Sequence, residues 1–502
     1  MNMAESKKKK NLWNFIDSLE GDKVVWMIVI LLILFSIVAI FSSTSLLAIQ
    51  QKTTRMAIVG EQLGLAAAGL VIIIICCTIP KLGFFRVVSQ LGYAFSMLPL
   101  LLLALASVFA KGASKWDLGI LTVNKINDAW RTISLFGAQF HVFEFVKVAM
   151  IMYLAWAVNA FRNDSFFIAN LLAEKYPIWK KPLVKKIAYI YFPILSVCLC
   201  IMVGSLSSTI FIGGIMFATI LIGGIKVKEL IPLTGIAVGL LVACIGINSC
   251  FDDGRKPFPH LNHALGRLTG DGVADKLRIM AESPSGSKEF QDALDDVKQP
   301  ISAKMAIKEG GLIGKGPGKS TQRYVVPIMF EDYMFCFIVE EYGLIGGIVI
   351  LILYISLLAR GSIIVRNCDN LFGKTAVAGL VLLITGQAMM HILINCDMGP
   401  LTGQTLPMVS HGNSSFLMFS IAFGIILSIS KIAKRKIDRE TAKAEPLVDR
   451  KINDEVGGRL DDLDQMESGF EGLDNDLTET DGAVPLHEND IPDYGIDDHN
   501  NE

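Results

Sequence analysis

The chain alternates between long apolar runs and polar connecting segments. Runs of about 20 residues are long enough to cross a hydrocarbon layer roughly 30 Å thick, and helices satisfy the backbone polar groups there. The pattern predicts an all-α polytopic membrane protein with about ten transmembrane helices. The predicted spans are residues 24–42, 57–77, 92–110, 145–162, 187–204, 208–225, 231–249, 333–358, 375–396 and 414–430.

These spans divide the chain into five regions. A short N-terminus (1–23) precedes spans one to seven (24–249), and a large loop (250–332) leads into spans eight to ten (333–430). The last region (431–502) is first basic and then acidic. The first apolar run is too long for a secretory signal core and no clear cleavage site follows it, so we expect it to be retained as a span.

Basic residues predict the orientation, because Lys and Arg concentrate in cytoplasmic connections. Here they fall in alternate segments, which all lie on one side of the predicted membrane. Both termini are then cytoplasmic and the loop 250–332 is extracytoplasmic. The basic positions are Lys7–Lys10, Lys81, Arg86, Lys180–Lys186, Lys226, Lys228, Arg360, Arg366, Lys374 and Lys431–Lys436.

Composition agrees with a membrane protein, since 52% of residues are hydrophobic. The net charge of −2 conceals an asymmetry: residues 441–502 contain 19 acidic and 4 basic residues. Few apolar residues and a high net charge predict a disordered cytoplasmic tail. It either keeps the protein soluble at the membrane surface or docks a partner.

The spacing of Cys, His and Gly residues does not support a metal site or a nucleotide-binding site. The nine cysteines form no CxxC pair and no His/Cys cluster. Residues 309–320 end in Gly-Lys-Ser, but a nucleotide-binding loop needs Gly where Ile313 stands. Two interpretations of these glycines stay open: tight turns, or a main-chain anion site with Lys315 or Lys319 nearby.

Four carboxylates flank the start of the eighth span, within "FEDYMFCFIVEEYGLIGG". Glu340 and Glu341 are about 12 Å deeper than Asp332 along a helix, so each needs a cation or a proton. Asp332 and Glu331 stand at the rim, where a carboxylate can accept a proton from an outside hydroxyl. Asp332 is the better candidate base, although the pattern alone does not separate it from Glu331.

Cationic partners for the buried pair could come from the fourth span. Arg131 precedes this span, and Lys147 lies within it. Lys147 also stands three residues after Glu144, so these two can pair on one helix face. The pair either anchors the helix locally or lines a cavity.

The connection between the last two spans, residues 398–415, contains two prolines, three glycines and several hydroxyl groups. An irregular backbone near a membrane must be buried in protein or line a wet cavity, so we expect an ordered, re-entrant-like loop. His391 and Asp397 flank it, and we expect a structural role for His391.

Three motifs together resemble the SEDS family of membrane peptidoglycan polymerases, which includes FtsW, RodA and SpoVE. They are "AIKEGGLIGKGPGKSTQRYVVP" with the acidic segment after it, "RTISLFGAQFHVFEFVK", and "GQAMMHILINCDMGPLTGQTLPMVSHGNSSFL". The resemblance covers residues 20–435. In the last motif, the matching positions are Gln387, Pro400, Gly403, Leu406, Pro407, Ser410, Gly412, Ser414 and Ser415.

This resemblance implies a glycosyltransferase that polymerises lipid II, a disaccharide-pentapeptide on undecaprenyl pyrophosphate. Asp332 falls on the family's essential aspartate and would be the general base. Arg131 and Lys147, or a divalent cation such as Mg²⁺ or Mn²⁺, would stabilise the pyrophosphate leaving group. The implied substrate-binding residues are Arg131, Glu144, Lys147, Lys319, Glu340, Glu341, Ser410 and Ser414.

Several supporting positions depart from the family pattern. Thr132 replaces a usual Trp, His141, Val142 and Phe143 replace Gln-Pro-Ser, and His391 replaces Asn. Tyr-Gly-Gly becomes His411, Gly412 and Asn413. These departures bear on full activity and on substrate preference.

The FtsW branch is favoured over the RodA branch. The implied setting is the inner membrane of a bacterium, where the partners would be a single-span class B penicillin-binding protein and other division proteins, with no nucleic acid. Three rival functions remain: a lipid II flippase, a secondary transporter and an inactive scaffold of the division complex. No inverted repeat favours the transporter.

Overall fold

The computed structural model describes residues 21–435, apart from 80, 111–112, 120, 127–128, 136–137, 250–271, 327–328 and 400–402. The predictions for the N-terminal lysines and for the acidic tail therefore lie outside the described residues.

Helices dominate the described chain, and the polytopic prediction is confirmed. Nine of the described helices are long and apolar enough to cross a membrane, and α8 is apolar but shorter, at 17 residues. In chain order the helices are α1 Lys23–Ser43, α2 Ser45–Gln50, α3 Arg55–Thr78, α4 Leu82–Phe109, α5 Val142–Arg162, α6 Phe167–Lys175, α7 Pro182–Gly204, α8 Leu206–Ile222, α9 Val227–Ser249, α10 Gly272–Glu282, α11 Lys288–Gly310, α12 Met334–Asn367, α13 Leu371–Asn395 and α14 Asn413–Arg435.

Two helices extend furthest beyond the predicted spans, and a third contains an irregular turn. The third span begins at Leu82 rather than at residue 92, because the helix continues through Arg86, Ser89 and Gln90, which interrupt the apolar run. The eighth continues to Asn367. Within α7, residues Ile187–Tyr191 adopt a π-helical turn.

A four-stranded antiparallel sheet connects α4 to α5, which the all-α prediction did not include. Its order is β1-β2-β3-β4, and the buried Val123 lies opposite Ile133. The strands are only three to seven residues long, so their alternation of polar and apolar residues was easily missed. They are β1 Lys115–Asp117, β2 Leu121–Ile126, β3 Ala129–Leu135 and β4 Ala138–His141.

One end of the helical bundle gathers residues that the sequence assigned to the cytoplasmic side. Arg360 Nε binds Asp22 Oδ2 at 2.6 Å, and the Asp22 N–H donates to Ser430 Oγ at 2.9 Å. Asp332 precedes α12, whereas Arg360 lies 28 residues later, about 40 Å along a helix. The rim carboxylates and the basic end therefore lie at opposite ends of α12.

The most buried spans form the centre of the bundle and position the candidate site. In the most apolar 18-residue stretch of each helix, 83% of residues are buried in α5, 78% in α14 and 61% in α13. Strand β4 leads directly into α5, which places Glu144 in the first turn of that helix.

Candidate functional site

Asp332 is held at the start of α12 by side chains from α13. Asn395 Nδ2 donates to the Asp332 carbonyl oxygen at 3.1 Å, and its Oδ1 accepts from the Cys336 N–H at 3.1 Å. The Phe335 N–H donates to His391 Nε2 at 3.3 Å. The first N–H groups of a helix have no partner within it, so Asn395 and His391 cap α12 and fix the backbone at Asp332.

His391 has the structural role that its isolated position suggested. Because Nε2 accepts a hydrogen bond, the ring proton resides on Nδ1, which donates to the Gln404 carbonyl oxygen at 2.7 Å. The imidazole thus joins α12 to the loop before α14.

The loop before α14, which contains Gly403, Gln404 and Ser410, packs against residues 330–332 at the start of α12. Ser410 Oγ donates to the Glu331 carbonyl oxygen at 2.7 Å, and the His411 N–H donates to the Phe330 carbonyl oxygen at 2.9 Å. A Cβ on Gly403, which has φ +60°, would lie 3.4 Å from Asp332 Oδ2. The described part of the loop is therefore ordered by contacts with the rim, and its backbone passes close to the Asp332 carboxylate.

The two rim carboxyls differ in acidity. Burial raises the pKa of Asp332 to about 6, although the Arg131 guanidinium on β3 acts to lower it. Burial and the negative charge of Asp332 raise the pKa of Glu331 to about 8. Asp332 is therefore the more acidic of the two carboxyls, and its role as a proton acceptor stays a prediction.

Lys147 is buried, with 2% of its surface exposed, and all three of its N–H donors are used. The predicted pair with Glu144 is present, at 2.6 Å from Nζ to Oε1. Nζ also lies 2.7 Å from Gln387 Oε1 and 2.9 Å from Gln404 Oε1. Lys147 therefore connects α5 to α13 and to the loop beside Asp332.

Ser414 joins the sheet to the last helix. Its Oγ accepts from the His141 N–H at 3.1 Å and donates to the Gln139 carbonyl oxygen at 3.5 Å. Arg131 and Glu144 come from the same sheet and the helix that follows it. The structure thus gathers one set of predicted site residues at the Asp332 end: Asp332, Arg131, Glu144, Lys147, Ser410 and Ser414.

The expected pairing of Glu340 with Lys147 or Arg131 is wrong. Glu340 instead binds Lys315 Nζ at 2.8 Å, Ser320 Oγ at 2.5 Å and the Thr321 N–H at 2.8 Å. All of these partners lie in the glycine-rich loop, residues 311–321, which lies against α12.

Glu341 is held by the same loop and by α1, so its expected pairing with Lys147 or Arg131 is also wrong. Its Oε1 accepts from Ser42 Oγ at 2.5 Å and from the Gly318 N–H at 3.1 Å, and it lies 3.7 Å from Arg323 Nη1. The anion bound by main-chain N–H groups is thus a carboxylate of the chain itself. Lys319 is exposed on this loop.

Close backbone contact explains the glycines of the loop. A Cβ on Gly314 would lie 2.3 Å from the Glu341 carbonyl oxygen. Gly343, with φ +71° and ψ −177°, interrupts α12, and the neighbouring Leu344 N–H donates to the Gly311 carbonyl oxygen at 2.9 Å. Glu340, Glu341 and Lys319 form this second group, separate from the contacts around Asp332.

We expect Gly343→Ala to lower the free energy of unfolding by about 3 kcal/mol, because its backbone region is nearly restricted to glycine and overpacking adds to the strain. A Cβ there would lie 2.2 Å from the Leu312 carbonyl oxygen. Thermal unfolding of the solubilised protein measures this. Gly214→Ala is the control, since its Cβ would meet nothing within 4 Å; equal stability of the two variants would contradict the close contact.

Sequence reasoning missed the uncharged positioning residues, Asn395 and Gln404. We expect Asn395→Ala to lower the turnover of a reaction at Asp332 about 10- to 100-fold, since small misplacements of a catalytic group are costly. Cys396→Ser, at the exposed neighbouring position, should leave turnover unchanged. Comparing kcat with the unfolding temperature checks this; full turnover by Asn395→Ala would show that the cap is dispensable.

The described residues do not form an obvious metal site: none of them form a group of three or more His, Cys, Asp or Glu side chains that could hold an ion. At the rim, the chain offers the Glu331 and Asp332 carboxyls. Mg²⁺ is often bound through one or two carboxylates together with substrate phosphates. A divalent cation here would therefore need ligands from a phosphorylated substrate.

Comparison with known proteins places this site in a family. The family described as "Cell cycle protein" (FTSW_RODA_SPOVE) matches residues 22–435. "Peptidoglycan glycosyltransferase MrdB" of Escherichia coli (strain K12) is 25% identical over 433 residues, covering 85% of this chain and 97% of that protein. "Probable peptidoglycan glycosyltransferase FtsW" of Bacillus subtilis (strain 168) is 26% identical over 423 residues, covering 84% and 92%.

A solved structure supports the fold. A chain from "Structural coordination of polymerization and crosslinking by a peptidoglycan synthase complex" superposes with a TM-score of 0.54 at 17% identity, covering 82% of this chain and 98% of that one. The family match extends over nearly all of the described residues. The chain therefore belongs to the SEDS family, the membrane proteins related to FtsW, RodA and SpoVE.

Proposed function

We propose that the chain is a peptidoglycan glycosyltransferase that polymerises lipid II, with Asp332 as its general base. The observation that carries this proposal is the placement of Asp332: Asn395 holds its backbone, the backbone of Gly403 passes beside its carboxylate, and burial raises its pKa to about 6. A general base works best when its pKa is near the operating pH. Names of relatives that cover most of the chain support the reaction class.

In this mechanism, the 4-hydroxyl of the acceptor sugar attacks the anomeric carbon of the donor. Its proton passes to the Asp332 carboxylate, and the bond to undecaprenyl pyrophosphate breaks with its electrons on the leaving group. Arg131 lies near enough to lower the pKa of Asp332, so its cation can also stabilise the developing negative charge. A Mg²⁺ or Mn²⁺ ion, when bound, would neutralise the pyrophosphate further.

Lys147 has a different role in this proposal. Its ammonium already donates to Glu144, Gln387 and Gln404, so it positions the loop that carries Gln404. Ser410 and Ser414 act in the same way, through the backbone of the rim and of the sheet. The roles of Glu340, Glu341 and Lys319 in substrate binding stay predictions, and the contacts of the two glutamates support a role in docking the glycine-rich loop.

The proposed setting is cell division in the bacterial cytoplasmic membrane, with both termini cytoplasmic. A class B penicillin-binding protein would supply the transpeptidase activity, for which this sequence shows no motif. Elongation is the alternative setting, since relatives named FtsW and MrdB match at similar identity. Complementation tests this: rescue of a division-polymerase depletion supports the division branch, and rescue only of an elongation-polymerase depletion overturns it.

The experiment that tests the activity uses the purified full chain, its penicillin-binding partner and lipid II. We expect glycan strands that depend on this chain. Movement of lipid II across vesicles without polymer would instead establish a flippase. Neither activity, together with intact assembly of the division complex, would establish a scaffold.

A further inference from the structure

A groove of about 660 Å³ lies between α7 and α9, near the end where both helices begin. Most of its lining is apolar. Its polar lining groups bind one another: Lys186 Nζ pairs with the Glu229 carboxylate, and the Tyr191 hydroxyl donates to the Glu229 carbonyl oxygen at 2.7 Å. The apolar lining includes Leu183, Ile187, Phe192, Leu195, Leu233 and Ile236.

The groove opens onto the apolar outer surface of the bundle. Its lining residues Leu183 and Phe192 on α7 are 62% and 63% exposed, and Ile236 on α9 is 51% exposed. In a membrane protein such a surface faces acyl chains rather than water. An occupant of the groove must therefore present an apolar body at this depth.

Four lysines stand beside the same end of the groove. Lys180 and Lys181 directly precede the lining residue Pro182, while Lys226 and Lys228 precede the lining residue Glu229. All four are exposed and none makes an ion pair with another described residue. Because Lys186 neutralises Glu229, this end carries an excess of positive charge.

We propose that this groove binds an anionic diacyl glycerophospholipid. One acyl chain fills the apolar groove, and the phosphate of the head group lies among Lys180, Lys181, Lys226 and Lys228. The groove therefore complements such a lipid in two ways: its apolar lining fits an acyl chain, and the four lysines at its end attract the phosphate. By the predicted orientation the lipid belongs to the cytoplasmic leaflet, which carries anionic lipids. The proposal does not depend on the glycosyltransferase function and concerns the opposite end of the bundle from Asp332.

Native mass spectrometry of the full chain in detergent, titrated with phosphatidylglycerol or phosphatidylcholine, tests this. We expect the wild type to retain phosphatidylglycerol preferentially. Neutralising two lysines with Lys226→Gln/Lys228→Gln should weaken that binding about 25-fold, at about fivefold for each lysine near a membrane phosphate. The matched control Lys115→Gln/Lys125→Gln, on the sheet at the other end, should bind like the wild type.

A second variant tests the apolar half of the site. Ile236→Trp should fill the groove and lower the retention of both lipids, whereas Val238→Trp, on the same helix but outside the lining, should not. Equal retention of the two lipids by the wild type would overturn the proposal. So would unchanged phosphatidylglycerol binding by the lysine variant, which needs no buried substitution and should fold normally.

Discussion

Asp332→Asn is expected to lower the rate of glycan polymerisation about 10²–10⁴-fold, the usual contribution of a general base. The amide cannot accept the proton of the attacking hydroxyl, yet it has nearly the same shape. The backbone of this residue is held through its carbonyl oxygen by Asn395, so the substitution should leave the rim in place. Polymer from lipid II, measured with the partner present, reports the change.

Glu331→Gln is the matched control for this substitution. The pKa of Glu331 is about 8, so the side chain is already protonated near neutral pH and the amide changes no charge there. We expect polymerisation close to the wild-type rate. An active Asp332→Asn beside an inactive Glu331→Gln would contradict the proposal and identify Glu331 as the base. The unfolding temperature of both variants should stay close to that of the wild type, because both side chains are only half-buried and each amide nearly keeps the shape of the carboxyl group.

Lys147→Met is expected to destabilise the protein by about 3–5 kcal/mol, as does removal of one partner from other buried ion pairs. The change leaves the Glu144 carboxylate without its cation, and water cannot replace it well because only 14% of that side chain is exposed. It also frees Gln404, which lies in the loop beside Asp332. Polymerisation should therefore fall together with stability, and thermal unfolding should detect the loss.

The control for this change is Lys185→Met. Lys185 is similarly buried, at 7% side-chain exposure, but its partner Asp164 is 70% exposed and stays hydrated without it. Pairs with an exposed partner contribute about 0–1 kcal/mol, so the loss should be much smaller. A Lys147→Met variant as stable as Lys185→Met would contradict the account of the centre of the bundle.

The spans were predictable because apolar length alone decides whether a segment can cross a membrane. The sheet was not, since its strands are short and the chain that leads into α5 shows no long periodic pattern. Arg131 does precede the fourth span as predicted, but the sequence did not show that it lies on β3, where its charge acts on Asp332.

The partners of Glu340 and Glu341 were mispredicted for a related reason. The sequence shows that buried carboxylates need a partner, but not which segment supplies it. Lys315 lies 25 residues earlier in the chain, and its contact with Glu340 depends on the path of the glycine-rich loop along α12. Asn395 and Gln404 were missed because single uncharged side chains give no spacing signal.

The central claim is that Asp332 accepts the proton in glycosyl transfer, and the pH dependence of kcat/KM for lipid II tests it most directly. A base must be ionised in the free enzyme, so the rate should fall as the pH decreases through the pKa of Asp332, about 6. In Asp332→Asn the residual rate should lose this acidic limb, while Glu331→Gln should keep it. An acidic limb that persists unchanged in Asp332→Asn would contradict the claim and would assign the base to another group.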